Sequence, residues 1–256
     1  MKILICGYGF VGKAHALALS NTNNKIHIYD PAYEAYDERL ANPDAVVICV
    51  STPAHENGKC NINNVYDSIM NVEDDTIPIL IKSTISLEGW RFLLEEFPNK
   101  KITFSPEFLR ADNAWEDFRN QKVIYIGGGD VVFWSTMLAM NLKVKVQAAD
   151  PEELILAKYM RNSFLALKVA FFNQVDDLCS AAGVNADRVC DLITEDPRIG
   201  TSHSYVYHNP KQRGFGGHCF PKDTSAIVKT AENYDYDFSI LKEAIAYNKK
   251  LRGENT

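Results

Sequence analysis

The first half of the chain is written as short apolar runs separated by helical patterns. Residues 2–6, 25–29, 77–82, 101–104 and 122–126 are runs of strand length. Residues 45–50 (A-V-V-I-C-V) are apolar at every position, as in a strand covered on both faces. Helical periodicity lies between the runs at 10–20, near 61–70 and at 87–97. Strand alternating with helix at this spacing predicts an α/β fold with a Rossmann-type, doubly wound parallel sheet. A last short strand at 143–146 is expected to close it.

After Asp150 the pattern changes. Pro151-Glu152-Glu153 suits a helix start, with proline in the first turn and acids at the positive end. Apolar residues then recur to Ala182, and Gly183 ends the run. Such a helix would be on the order of 45–50 Å long. Residues 185–193, 222–231 and 238–251 also carry helical patterns. The expected organisation is therefore a Rossmann-type domain over 1–148 and an all-α domain, built on one long helix, over 149–256. The chain has no internal repeat and no low-complexity segment.

Composition narrows the function. An apolar fraction of 46% over 256 residues is enough for a real core. The net charge of −6 gives no long-range attraction for a polyanion, so nucleic acid is not an expected partner. No run approaches the roughly 20 apolar residues that span a bilayer, so no membrane is expected. The apolar N-terminus is too short for a signal peptide and reads as a strand. The six cysteines are scattered without a C-x-x-C pair, which points to free thiols and a cytoplasmic location. No spacing of His, Cys and acids suggests a metal site.

Three segments carry candidate chemistry. Gly7-Tyr8-Gly9-Phe10-Val11-Gly12 follows a strand and opens a helix, and Asp30 stands at the end of the second strand. The first glycine suits a tight turn, the second a backbone close to a diphosphate, the third tight helix–strand packing. A carboxylate at Asp30 would hydrogen-bond ribose hydroxyls and repel a 2′-phosphate, so NAD is favoured over NADP; FAD uses the same turn. Ser51-Thr52-Pro53 and Lys82-Ser83-Thr84 place hydroxyls at the ends of two other strands. Ser105-Pro106-Glu107-Phe108-Leu109-Arg110 follows a further strand, where ligands of open α/β sheets bind. Glu107 there reads as a general base or as an acid in a solvated loop.

Lys158 and Asn162, four apart on the long helix, share a face. They suit polarising a substrate oxygen, although a solvated lysine and asparagine give the same pattern. Gly214-Phe215-Gly216-Gly217-His218-Cys219-Phe220-Pro221-Lys222-Asp223 sets three glycines and a thiol just before a helix start. A thiol beside a helix N-terminus makes a good nucleophile; a buried structural cysteine with a capping Asp223 is the other reading.

Together these motifs resemble the UDP-glucose/GDP-mannose dehydrogenase family. G-Y-G-F-V-G, S-T-P, K-S-T, S-P-E-F-L-R, K-Y-M-R-N with F-F-N-Q, D-P-R-I-G at 196–200 and G-F-G-G-H-C-F-P-K-D occur in family order over nearly the whole chain. The last is the most specific. The Lys-x-x-x-Asn pair also fits 3-hydroxyacid and 6-phosphogluconate dehydrogenases, but a simple alcohol oxidation needs no thiol.

The resemblance implies a four-electron oxidation of a nucleotide-sugar CH₂OH to a carboxylate with two NAD, UDP-glucose being the first substrate to expect. It implies Cys219 as the covalent nucleophile, Lys158 and Asn162 on the oxyanions, and Glu107 as base for the hydrolytic water. Asp223 and Thr84 would handle water or a proton. Gly7, Gly9, Phe10, Val11, Gly12, Asp30, Ser51, Thr52, Pro53, Thr84 and Lys222 would line the cofactor. Phe108, Leu109, Arg110, Lys158, Asn162, Arg198, Phe215 and Gly216 would meet the substrate. Arg198 would reach across a homodimer built on the long helix.

Two departures accompany the match. The family continues into a third, nucleotide-holding domain beyond the position of Thr256, so a short form is expected. Only 31–44 separates the second and third strands, which predicts a more open adenine side. The loop before Gly214, with Tyr205, Tyr207, His208, Lys211 and Arg213, is a candidate cover. A two-electron 3-hydroxyacid-type dehydrogenase and a non-catalytic NAD- or nucleotide-sugar-binding subunit remain the alternatives.

Overall fold

The structure, a computed structural model, describes residues 1–20, 23–33, 42–55, 57–110, 113–209 and 212–254. The chain divides into two compact units, Met1–His55 with Cys60–Lys158, and Glu56–Lys59 with Tyr159–Thr256.

The first unit is a sheet with helices around it. Its strands are β1 (Lys2–Cys6), β2 (Lys25–Tyr29), β3 (Ala45–Ile48), β4 (Ile79–Ile81), β5 (Ile102–Phe104), β6 (Val123–Gly128) and β7 (Lys145–Ala148). They lie in the order β2-β1-β3-β4-β5-β6-β7. β1 to β5 are parallel, with Cys6 opposite Tyr29 on one side and Ile48 on the other. β3, β4 and β5 are buried at every position, which explains their unbroken apolar runs. The sheet is thus mainly parallel, as its pattern predicts; one pairing departs, β6 running antiparallel to β5, with β7 parallel to β6. Apolar pattern fixes which residues pair but not the direction in which a strand enters the sheet.

Helices α1 (Phe10–Leu19), α4 (Ala114–Asn120) and α5 (Val131–Leu142) group together, while α2 (Asn63–Met70) and α3 (Leu87–Glu96) meet through Tyr66, Phe92 and Phe97. The main core joins Ile3, Ile5, Leu19, Val47, Leu80, Ile126 and Trp134. α4 and α5 were not expected from the sequence, and the last strand lies two residues later than the predicted 143–146. Lys143 closes α5 in a left-handed conformation, φ 50°, which delays the strand to Lys145.

Helix α6 (Pro151–Ala182) is the long helix, 32 residues. The second unit takes most of it and adds α7 (Ala186–Thr194), α8 (Phe220–Glu232) and α9 (Ser239–Arg252). Its core is Ala166, Val169 and Ala170 of α6 with Phe215 and Ala244. It is not all-α: β8 (Tyr207–Asn209) and β9 (Gln212–Arg213) form a small antiparallel ribbon. Strands of three and two residues are too short to leave a period of two in the sequence. Among the described residues no helix is long and apolar enough to cross a membrane.

Candidate active site

The glycine loop sits where β1 and β3 diverge to opposite neighbours, the topological switch point of the sheet. Gly7 has φ +87° and its N–H is bonded to the Tyr29 carbonyl at 2.9 Å. A Cβ there would meet the Cys49 carbonyl oxygen at 2.6 Å, and one at Gly12 would fall on the Gly7 carbonyl. Gly9 differs: a Cβ there would meet nothing within 4 Å. It is also the N-cap of α1 and brings no side-chain cap to the first N–H groups of the helix. Open space beside an uncapped helix N-terminus is a fit for a dinucleotide diphosphate.

Asp30 ties this loop down. Its Oδ2 accepts from Tyr8 N–H at 2.6 Å and its Oδ1 from Ala32 N–H at 2.9 Å. Each oxygen keeps a lone pair for a ribose hydroxyl. After β3, Ser51 holds the Asn64 amide, Thr52 is buried, and the Pro53 carbonyl accepts from Asn61 N–H. Of the segment expected to leave the adenine side open, 34–41 lie outside the described residues.

The ends of β4 and β5 carry a second group. Lys82 is 4% exposed and Glu107 7%, so neither the solvated-loop reading of Glu107 nor that of Lys158, itself 8% exposed, survives. Lys82 Nζ donates to Ser105 Oγ at 2.9 Å and to the Pro106 carbonyl at 3.4 Å, and stands 3.2 Å from Glu107 Oε2. Glu107 Oε1 accepts from Phe108 N–H at 2.9 Å. Burial raises the Glu107 carboxyl, but the Lys82 ammonium, His15 and the Phe108 N–H together outweigh it and hold the group below the usual carboxylate range. Lys158 donates to the Glu107 carbonyl and lies 5.3 Å over the Phe108 ring. Ser83 Oγ donates to the Val50 carbonyl at 2.7 Å, and half-buried Thr84 follows it. Leu109 packs toward Ala14, Ala18 and Phe118. Arg110 is paired with Asp117 through Nε and Nη2 at 2.9 and 2.5 Å.

The second unit holds the third group. Asn162 Nδ2 donates to Asp223 Oδ2 at 2.5 Å, and Lys222 Nζ pairs with Asp223 Oδ1 at 2.7 Å. Asp223 is 1% exposed. One helical turn earlier Cys219 is the N-cap of α8, and its carbonyl accepts from Asp223 N–H at 2.8 Å. The Cys219 residue is exposed, which removes the buried structural reading.

The loop leading to it is fastened at several points. Asn248 of α9, 4% exposed, accepts from Phe215 N–H at 2.7 Å and donates to the Phe215 carbonyl at 3.0 Å. The Phe215 ring is a core side chain, and a Cβ on Gly216 would meet Arg252 Nη1 at 2.6 Å. Arg213 is locked by Asn173, Asp176 and Asp177 of α6. Arg198 is exposed and paired with Asp196. Tyr205 is partly buried and Tyr207 exposed, whereas the His208 and Lys211 side chains lie outside the described residues.

Lys82 and Asn248 were not singled out from the sequence. Both had a signal. Lys82 directly follows the apolar strand I-L-I, and Asn248 falls on the buried stripe of α9 with Leu241 and Ala244. Among the described residues no group of three His, Cys, Asp or Glu is placed to hold a metal ion.

Residues 31–140 match the NAD binding domain of the UDP-glucose/GDP-mannose dehydrogenase family, and 153–250 match its central domain. A UDP-glucose 6-dehydrogenase of Rickettsia typhi is 30% identical over 99% of this chain and 68% of its own length. One of Rickettsia felis is 34% identical over 84% of this chain and 50% of its own. The solved UDP-glucose dehydrogenase of Pyrobaculum islandicum superposes with a TM-score of 0.83 at 28% identity, over 97% of this chain and 68% of that one. The chain thus spans between half and about two thirds of the length of these relatives.

Proposed function

Since the chain belongs to the UDP-glucose/GDP-mannose dehydrogenase family, we propose that it oxidises the CH₂OH of a nucleotide sugar to a carboxylate, with UDP-glucose to UDP-glucuronate as the specific reaction. The overall balance is one alcohol, two NAD⁺ and one water giving one carboxylate, two NADH and three protons. The observation that carries this reading is the exposed Cys219 thiol at the start of α8, one turn from the buried Asp223–Asn162 pair.

The Gly7–Gly12 loop, including Phe10 and Val11, and the α1 N-terminus would hold the cofactor diphosphate. Asp30 would hold the ribose, and Ser51, Thr52, Pro53, Thr84 and Lys222 the rest of the cofactor. NAD supplies, when bound, a two-electron acceptor for each of the two oxidations. In the first, Asp223 takes the hydroxyl proton through a water ordered by Thr84, leaving an aldehyde. The Cys219 sulfur then bonds to the aldehyde carbon, and the thiol proton passes to the aldehyde oxygen. The second oxidation turns this thiohemiacetal into a thioester. Glu107, held ionised, takes a proton from water as the water adds to the thioester carbon. The C–S bond breaks and the thiol is restored. Lys158 and Asn162 donate to the oxygen wherever it carries negative charge.

Phe108 and Arg110 would meet the sugar nucleotide by side chain. Leu109 and Gly216 are packed into the protein, which suits main-chain contact, whereas Phe215, its main chain held by Asn248, would shape the loop against the substrate. Exposed Phe164, Phe171 and Leu178 on α6 support a homodimer with a second copy of this chain, to which Arg198 would contribute. A catalytic free thiol fits a reducing compartment such as the cytoplasm.

The test is the stoichiometry of NADH against limiting UDP-glucose with product identification, for the native protein and Cys219→Ser. Two NADH and UDP-glucuronate are expected, lost in the variant. One NADH per sugar, ending at the aldehyde, or full oxidation by Cys219→Ser, would remove the thiol mechanism.

A further inference from the structure

We propose that Lys82 is the positioning residue of Glu107, a buried ammonium that holds the catalytic carboxyl in place as an anion. The assignment rests on the reading of Glu107 as the hydrolytic base and extends it to a residue with no contact role of its own.

A lysine at the end of a fully buried strand is costly unless its charge is paired and its donors are used. Lys82 meets both conditions with a single segment. Its ammonium has three donors, and three oxygens of Ser105-Pro106-Glu107 lie around it, at 2.9, 3.4 and 3.2 Å. Its main chain is fixed as well, the N–H bonding the Ile48 carbonyl at 2.8 Å. The ammonium therefore points at the S-P-E turn from a rigid strand, with two donors used on Ser105 and Pro106 and its charge facing Glu107 Oε2. That is the placement of a residue acting through Glu107 rather than on a ligand.

Of the other groups around Glu107, His15 would add positive charge when protonated. His15 of α1 is fully buried, and burial pushes its pKa down to about 4, so it is neutral at neutral pH. The Cys49 thiol at the end of β3 is pushed far up by burial and stays protonated. Lys158 approaches the main-chain carbonyl of Glu107. Glu107 Oε2 makes no hydrogen bond and faces the Lys82 ammonium, leaving a lone pair that a water can use.

The test is a direct titration of Glu107 in protein carrying ¹³C-carboxyl glutamate, the signal assigned by its absence in Glu107→Gln. The native signal and that of Lys82→Arg should titrate below the ordinary glutamate range. In Lys82→Met the midpoint should rise by roughly three units or more, as for a buried carboxyl stripped of its cation. An unmoved midpoint in Lys82→Met, or a native midpoint above the ordinary range, overturns the proposal. Should Lys82→Met fail to fold, the double variant Lys82→Met/Glu107→Gln should fold, because it removes both charges; a double variant that also fails overturns the proposal. Steady-state pH profiles separate this from the base assignment. If Glu107 is the base, the acid limb of kcat moves in Lys82→Met with the titration. A shifted titration with an unmoved limb removes the base role and leaves the Lys82 assignment standing.

Discussion

Asn162 and Asp223 share a 2.5 Å hydrogen bond in a place where both side chains are buried, and the other Asp223 oxygen is taken by Lys222. Asn162→Leu leaves one carboxylate oxygen without its donor, a loss of about 1–3 kcal/mol. Asn162→Asp is a sharper probe, because it sets two carboxyls in one buried spot and one of them must keep its proton at neutral pH. A raised carboxyl pKa means the folded state binds more protons than the unfolded one, so stability falls as pH rises. Thermal unfolding from acid to mildly alkaline pH should show Asn162→Asp close to native when acid and falling away as pH rises. A gap that stays constant with pH counts against a shared proton.

His15 gives the opposite slope. Burial, with the Lys82 charge adding to it, lowers its pKa from 6.5 to about 4. The unfolded chain therefore binds a proton that the folded one refuses between those values. Stability present above pH 6.5 is lost as pH falls toward 4, by about 3 kcal/mol in all. Urea unfolding at pH 7 and 4.5 should show this loss in the native protein and much less in His15→Phe. Equal losses in both proteins would mean that another group carries the acid sensitivity.

The glycine loop separates folding from binding. Gly7→Ala forces φ +87° on alanine and drives its Cβ to 2.6 Å from the Cys49 carbonyl oxygen, so unfolding and NAD binding should both suffer. Gly9→Ala meets no protein atom within 4 Å and needs no unusual backbone. Its melting temperature should stay near native while NAD affinity, read by calorimetry, falls by roughly tenfold or more, or about 1.4 kcal/mol. Native affinity in Gly9→Ala would place the diphosphate elsewhere.

Phe164 and Phe171 are 67% and 55% exposed and lie seven residues apart on α6, so they share a face. If a second copy covers that face, Phe164→Asp/Phe171→Asp should run as a monomer in light scattering where the native chain runs as a dimer. A native monomer, or a variant that remains dimeric, removes this interface.

The sequence disclosed the parallel strands because β3, β4 and β5 are buried on both faces and have no polar alternation to confuse them with surface strands. It hid α5 for the related reason that V-V-F-W-S-T-M-L-A-M-N-L is apolar almost throughout, so no face stands out. The one local sign was Asp130, whose side chain accepts from Phe133 N–H as a helix cap. At the site, Cys219, Asp223 and Asn162 could be picked out by motif, yet their fastening could not. Lys82 and Glu107 are 25 positions apart and meet only because β4 and β5 are neighbours. Asn248 looked like one polar residue on a charged helix, since its partner is the main chain of Phe215 and leaves no side-chain pattern to read.

The grip of Asn248 on Phe215 also sets an order of events as the chain is made. The two residues are 33 positions apart, with Asn248 the later. At about 5–20 residues per second, the ribosome adds Asn248 seconds after it has finished Cys219. Through that interval the thiol is already present while the loop that carries it is unfastened. A chain halted before α9 would carry Cys219 without the clamp on its loop, so oxidation of that thiol should strike stalled or nicked chains before it strikes finished ones.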